Sequence, residues 1–522
     1  MNSAVDRRGL FLGVVVERAV VGWGSVVLTL DHDLDVLPGV GRRVSVAELA
    51  GLVEDLAGRV RAAGVGPGDR VVVCKAANFD VWLLAVAVAR AGGVPVMLSH
   101  SLDAATVAAL LERLERPHLL CDAARLDALA GVPLPGLVRQ VISVDGGGQG
   151  VVCLADLAGS QPVRPVLPGL DEPAMITHTS GTTGIPKLVV HTARTMRARL
   201  RPQLFLLALM RRRETVAIHV PFGHSRMFAA MALCLRNGLP VLLVSNPDPD
   251  HVAGFFAEHR PGLLEALPNS LMAWEALADD PRRPFASVKY FSSTFDAIHP
   301  RTIRRLLAAS ARRRPRFFQI YGQSEVGPAA GRPYSRRSAR TMDGRCVGYT
   351  LPGSARVRVV AADGHRPTEQ HPGQIEARWD GIARTYYGEQ ERYDANLHHG
   401  WWRTGDIGYR TRYGCLHMLD REIDTIPGIG SSLEIEDLVL DRLEELTELV
   451  IVPGPGSRPT PVVCTHHDQP LDLHRWHTAT TEYPQLAHPV HIPLAQLPRT
   501  ATLKTRRVEL TRLLHTTPPQ QT

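Results

Sequence analysis

A chain of 522 residues, 44% hydrophobic and 21% charged, is sized for two to four globular domains, and its composition excludes a disordered or fibrous polymer. Its seven cysteines (Cys74, Cys121, Cys153, Cys234, Cys346, Cys415 and Cys464) are scattered, odd in number and never spaced C-x-x-C, which excludes a disulfide framework and reads as buried thiols of a reducing compartment. The net charge of +7 is concentrated in local runs, "RRR" at 211–213 and "RRRPR" at 312–316, without interleaved aromatics; these read as a solvated helix face or as steering for anionic ligands, and no nucleic-acid partner is expected.

No apolar run approaches the ~20 residues of a membrane span. The early "FLGVVV" is short, meets Glu17 and Arg18 at once and lacks a small-residue cleavage site, so no signal peptide is read there. A cytoplasmic enzyme is expected. From 46 to 64, "VAELAGLVEDLAGRVRAAG" has helical apolar spacing and stops at a glycine. "GDRVVVCKA" reads as a buried strand, "FDVWLLAVAVARAGG" as a helix, "VPVMLS" as a strand, "AATVAALLERLER" as a helix and "PHLLCD" as a strand. That alternation predicts a mostly parallel sheet with helices on its faces. A proline-rich connector at 160–173 leads into a second alternating region from about 214 to 330. Short strands and turns at 340–420 predict a β-rich subdomain, and the last hundred residues a small mixed unit with a helix at 434–446. The stretch "HHDQPLDLHRWH" (466–477) fits no zinc spacing and reads as a solvated loop; the tail after 516 is expected to lack fixed structure.

Only four of the 59 basic residues are lysine: Lys75, Lys187, Lys289 and Lys504. A lysine presents a compact ammonium on a flexible stem, suited to a single oxygen, where arginine presents a flat fork. Lys187 closes "TSGTTGIPK" (179–187), whose glycines Gly181 and Gly184 can turn backbone N–H groups and the hydroxyls of Thr179, Ser180, Thr182 and Thr183 toward an anion. The spacing is not that of a Walker A loop. Further along, "QIYGQSEVGP" presents Tyr321, Gly322, Ser324 and Glu325, the last a carboxylate suited to Mg²⁺. "WWRTGDIGY" places Asp406 in a turn, "LDREIDTI" offers Arg421 after a strand, and "LPRTATLKTRR" brings Lys504 near the C-terminus. An acceptor-only carboxylate such as Asp406 can take both hydroxyls of a ribose.

In this order the segments "AGVGPGDRVVV", "TSGTTGIPK", "PFGH", "YGQSE", "VGYTLPG", "RTGD", "DREIDTI" and "PRTATLK" resemble the adenylate-forming (AMP-binding) superfamily of acyl- and aryl-CoA synthetases, luciferases and adenylation domains, over nearly the whole chain. The resemblance implies an α/β protein: a large multi-layer N-terminal domain (1–420) with parallel sheets and a β-rich subdomain, and a small mobile α+β C-terminal domain (421–522). It implies attack of an acid on MgATP to give an adenylate and pyrophosphate, then transfer to an acceptor. Carried over by position, 179–187 would hold the β- and γ-phosphates, Glu325 Mg²⁺, and Ser324 or the loop the α-phosphate. Tyr321, Gly322 and Thr294 would lie by the adenine, and Asp406 and Arg421 at the ribose. His224 of "PFGHSRM" would line the acid pocket, and Lys504 would bridge carboxylate and α-phosphate.

Departures from the family pattern cluster around the second step. Leu188, Asp420 and Leu503 stand where members usually have glycine, "SSTFD" (292–296) replaces a glycine-rich turn, Ile423 occupies the hinge, and the pantetheine-guiding loop is cut to "PGIGSSL". The leading expectation is activation of an organic acid, aryl or medium acyl, with transfer to CoA or a carrier thiol. The alternatives are a non-thiol acceptor such as an amine, an unusual oxyacid such as nitrite, and a catalytically silent binding protein.

Overall fold

The computed structural model describes residues 8–146, 148–179, 184–208, 213–361, 364–454, 458–500 and 503–516. The predicted helix at 46–64 spans Val46–Ala62 and opens on a capping box: Ser45 Oγ accepts from Glu48 N while Glu48 takes the Ser45 backbone N–H. Unbroken apolar strands such as Arg70–Cys74 must be covered on both faces. One cover is the helix Asp80–Arg90, every residue of which is buried.

The first sheet has eight strands, in the spatial order 385–386, 188–192, 173–178, 94–97, 70–74, 118–121, 140–143, 151–153. Its middle is parallel, as the alternating pattern predicts, but Leu188–Thr192 returns antiparallel to Pro173–His178. The glycine-rich stretch therefore joins two antiparallel strands at a sheet end.

The second sheet has a parallel half, with Val216–His219, Val241–Leu243, Leu263–Ala266, Tyr290–Ser293 and Arg316–Gln323. It continues antiparallel through Gly327–Tyr334, Cys346–Thr350, Leu416–Arg421, Trp401–Arg410, Gly373–Arg378 and Arg356–Val360. The β-rich region is thus an extension of this sheet. After Arg421 the chain forms a small α+β part, with strands Leu446–Pro453, Pro459–Thr465 and Val490–His491 and the helix Ser432–Arg442.

Four expectations need correction. The helix placed at 434–446 runs from Ser432 to Arg442, because Ser431 caps it and Leu446 already pairs with Thr465. Part of the histidine-rich stretch is the helix Leu473–Ala479, capped by Asp472 and anchored by buried Trp476. The "RRRPR" run follows the helix Pro300–Ala309 instead of lying on it, and Arg312 pairs with Glu214 at 2.6 Å. Asp406 lies within the strand Trp401–Arg410, not in a turn. The tail after 516 is outside the described residues.

Candidate active site

The ends of both sheets border one cavity of about 840 Å³. Its walls include Thr179, Gly184, Lys187, His224, Thr294 and Gly322, and also Ser324, Glu325, Arg421 and Lys504. Of the expected site residues, Ser180, Gly181, Thr182 and Thr183 lie outside the described residues. The base of their loop is closed on both sides: Thr179 N donates to Lys187 O at 3.0 Å, and Lys187 N donates to Thr179 Oγ1 at 3.1 Å. Gly184 has φ +139°, which a side chain would resist.

Lys187 is held over the Tyr386 ring, its Nζ donating to the Tyr386 hydroxyl at 3.2 Å and lying 3.9 Å from Glu325 Oε1. Burial lowers the lysine's proton affinity, against the pull of Glu325. Tyr386 in turn donates to Glu325 Oε1 at 2.6 Å. The Glu325 carbonyl accepts from Arg199 Nη2 at 2.8 Å, and Arg199 Nε is tied to Gly381 O. One carboxylate oxygen of Glu325 is thus committed to tyrosine, while no described residue donates to Oε2. A hard cation bridging to phosphate oxygens needs such an oxygen donor, so the residue fits Mg²⁺.

Asp406 is buried directly across the sheet from Arg421. Its Oδ2 accepts from Tyr321 Oη at 2.5 Å and from Gln323 Nε2 at 2.8 Å, while among the described residues Oδ1 has only Arg421 Nε at 3.5 Å. Burial and the adjacent carboxylate push the Tyr321 hydroxyl well up, so it stays a donor. Tyr321 lines the neighbouring cleft instead of the main cavity.

His224 caps the helix Ser225–Asn237, with Nδ1 accepting from Arg226 N at 3.1 Å. The neutral ring therefore carries its proton on Nε2, which faces Ser324 Oγ at 3.5 Å. Burial, reinforced by Arg199, His178, Arg226 and Lys504, pushes its pKa down to about 3. This histidine is a neutral donor. From the small C-terminal part, Lys504 Nζ reaches the cavity and lies 3.8 Å from Asp296 Oδ1.

Two residues at departures from the family pattern have a glycine-like backbone: Phe295, within "SSTFD", has φ +90°, and Leu503 has φ +62°. For bulky residues that conformation is strained. The Phe295 ring lies 4.6 Å from the His224 ring, so the strain aims an aromatic into the site.

Tyr386, Gln323, Arg199 and the Arg226–Glu265 pair escape sequence reading. Gln323 sits inside a recognised segment, whereas Tyr386 is marked only by an aromatic pair with no spacing signal. The scattered cysteines also converge: Cys346, Cys415 and His417 have side-chain ligand atoms within 4.8 Å of one another. Arg332 Nη1 is already 2.8 Å from Cys346 Sγ. Hydrogen bonding from Cys415 and this guanidinium bring the Cys346 thiol down to about 6, an internal thiolate–cation contact.

Residues 26–387 match the family described as AMP-binding enzyme. The chain belongs to that family. This AMP-binding enzyme is 44% identical, over 97% of its length and 96% of the relative's, to 3-amino-2-hydroxy-4-methoxybenzoate diazotase of Streptomyces cremeus. It is 26% identical to 3-aminoavenalumate diazotase of a Streptomyces species, over 78% of this chain and 74% of that one. Its fold matches ATP-bound MatB from Rhodopseudomonas palustris with a TM-score of 0.79, at 21% identity, covering 97% of this chain and 99% of that one. The AMP-binding enzyme is an ATP-dependent, adenylate-forming catalyst.

Proposed function

We propose that this AMP-binding enzyme is a diazotase, which activates nitrite with ATP and delivers the nitroso nitrogen to an aromatic amine of the aminobenzoate class. The observation carrying this reading is the near full-length 44% identity to an aminobenzoate diazotase. Forming a diazo group needs an electrophilic nitrogen at the oxidation level of nitrite. Nitrite becomes that electrophile once one of its oxygens is made a leaving group.

A nitrite oxygen attacks the α-phosphorus of ATP, the α–β anhydride breaks, and pyrophosphate leaves. The amine nitrogen then attacks the nitroso nitrogen; an N–N bond forms, the N–O bond to AMP breaks, and AMP takes the electron pair. The amine loses one proton to water on attack. Its second proton moves to the nitroso oxygen, which leaves as water after one protonation from solvent.

Lys504 and Lys187 supply positive charge where phosphate oxygens gather negative charge in the first step, and preorganised charge of this kind lowers the barrier. Asp406 and Arg421 orient the nucleoside. His224, a neutral donor, adds no competing positive charge. Mg²⁺, held by Glu325, would neutralise the polyphosphate. The cavity wall also carries Arg226, bound to Glu265 through Nε and Nη2 and to Gln203 Oε1 through Nη1 at 2.5 Å. Two of its five N–H donors are left for a benzoate carboxylate.

The test is ATP–pyrophosphate exchange with nitrite and with a panel of carboxylic acids, each with and without CoA, followed by azo coupling of the amine product. Nitrite-dependent exchange and a coupling product without CoA are expected. Exchange with a carboxylic acid only, accompanied by CoA consumption, returns the enzyme to the thiol-ligase reading.

A further inference from the structure

The small C-terminal part is fastened to the rest of the molecule at three separate places. Along the helix Ser432–Arg442, His299 Nδ1 meets Asp437 Oδ1 at 2.6 Å and Arg345 Nη1 meets Glu434 Oε2 at 2.9 Å. Arg301 donates to the Leu440 and Leu446 carbonyls at 3.1 and 3.2 Å, and Arg304 pairs with Asp441. Gly344 makes this approach feasible: a Cβ there would lie 1.7 Å from Asp437 Oδ2 and 2.9 Å from its Cγ. At the lysine end, Asn269 Nδ2 donates to Leu503 O at 2.8 Å, and the left-handed backbone of Leu503 presents that carbonyl. At the linker, the buried Asp420 accepts from Ser432 N at 3.1 Å and Ser432 Oγ at 2.5 Å, while Ser431 Oγ donates to Leu419 O at 2.8 Å. A glycine at 420 could make none of the side-chain bonds.

The cavity runs without interruption from Lys187, Glu325 and Lys504 into an apolar chamber that includes Ala230, Leu233, Leu239, Leu263, Tyr290 and Phe318. Nitrite has three heavy atoms and no apolar surface. It has no use for such a chamber, whereas an aromatic ring does.

We infer that the apolar chamber seats the aromatic amine while the nitrite adenylate lies at the lysine end, and that both half-reactions run with the C-terminal part docked as it is here. The inference rests on the diazotase reading. The amine reaches the nitroso nitrogen from inside the same cavity, so no second channel for a pantetheine arm has to be opened by swinging the small part away. N–N bond formation and departure of AMP then follow with Lys504 still beside the phosphate.

The docked arrangement can be locked. With a C–C bond of about 1.5 Å, the 2.9 Å approach places the Cβ atoms of residues 344 and 437 at most about 4.4 Å apart, within the usual span of a disulfide. The Gly344→Cys/Asp437→Cys variant is oxidised, its bridge confirmed by peptide mass spectrometry, and assayed before and after reduction. The assay uses ATP, nitrite and 3-amino-2-hydroxy-4-methoxybenzoate, with azo coupling as readout. The oxidised variant is expected to turn over many times, within about threefold of its reduced form. If oxidation instead cuts coupling by about tenfold or more, reversibly, while nitrite-dependent pyrophosphate exchange persists, the single-arrangement inference is overturned.

For the chamber, Ala230→Phe is expected to raise the amine KM about tenfold or more. A rise in nitrite KM with the amine KM unmoved overturns the assignment. Parent enzyme that forms no coupling product removes the diazotase reading itself, and this inference with it. That result is read on the parent alone and is separate from the variant results.

Discussion

The Tyr386 hydroxyl stands 2.6 Å from Glu325 Oε1 and 3.2 Å from Lys187 Nζ, linking two charged groups that are 138 residues apart in the chain. Through this hydroxyl the carboxylate is oriented without being neutralised. Tyr386→Phe removes two hydrogen bonds to charged groups, and the shorter one, to Glu325, alone is worth about 1.5–3 kcal/mol, which is about 10- to 100-fold in pyrophosphate exchange. The half-saturating Mg²⁺ concentration should rise with it. Unchanged rate and Mg²⁺ dependence would show that the tyrosine only fills space.

In the proposed reaction Lys504 supplies its charge to the first step. For Lys504→Ala we expect exchange to fall about 100-fold or more with the melting temperature unchanged, since the group lies in the cavity wall outside the core. Normal exchange in a folded variant would remove the lysine from the chemistry.

Asp406→Asn keeps the shape and leaves an acceptor for Tyr321, but removes the charge facing Arg421. The ATP KM should rise about tenfold or more with a smaller change in kcat, the signature of lost ground-state binding. A change confined to kcat contradicts a nucleoside-binding role.

His224 should make the fold acid-sensitive. Its folded pKa, about 3, is below the ordinary 6.5, so below pH 6.5 the unfolded chain binds a proton that the folded chain refuses. Stability therefore falls as pH drops from 6.5 toward 3, by about 2 kcal/mol at pH 5 from this group. Asparagine can also cap the helix, so His224→Asn should lose less melting temperature between pH 7 and 5 than the parent does. Equal losses would mean that the ring is not held neutral.

Glu265 is buried and holds Arg226 through two bonds. Glu265→Ala strands a guanidinium in the cavity wall, and about 3–5 kcal/mol of stability should be lost, measured by denaturant unfolding. A loss under about 1 kcal/mol would mean that solvent already screens the pair.

Much of this protein was legible in its sequence because the signals are local. Unbroken apolar runs such as "RVVVC" read as strands covered on both faces, and helical spacing at 46–64 places a helix to within two residues of Val46–Ala62. The ordered segments likewise singled out Lys187, Glu325, Arg421 and Lys504, which the fold brings to one cavity, and Asp406, which it sets opposite Arg421. Local signals failed where a neighbour from elsewhere in the chain prevailed. Asp406 looked like a turn residue, but pairing with Arg421 draws it into a strand. Leu503 looked like a lost glycine, and Phe295 lies where a glycine-rich turn was missing, yet both are held at positive φ.

The sequence by itself determined the elements and the inventory of charged and hydroxyl groups, because both follow from side chains and their periodicity. Only the tertiary structure decided which groups meet: Tyr386 with Glu325, Gln323 with Asp406, Gly344 against Asp437. Those meetings depend on strand order and on how the small part seats, and neither leaves a trace in local spacing.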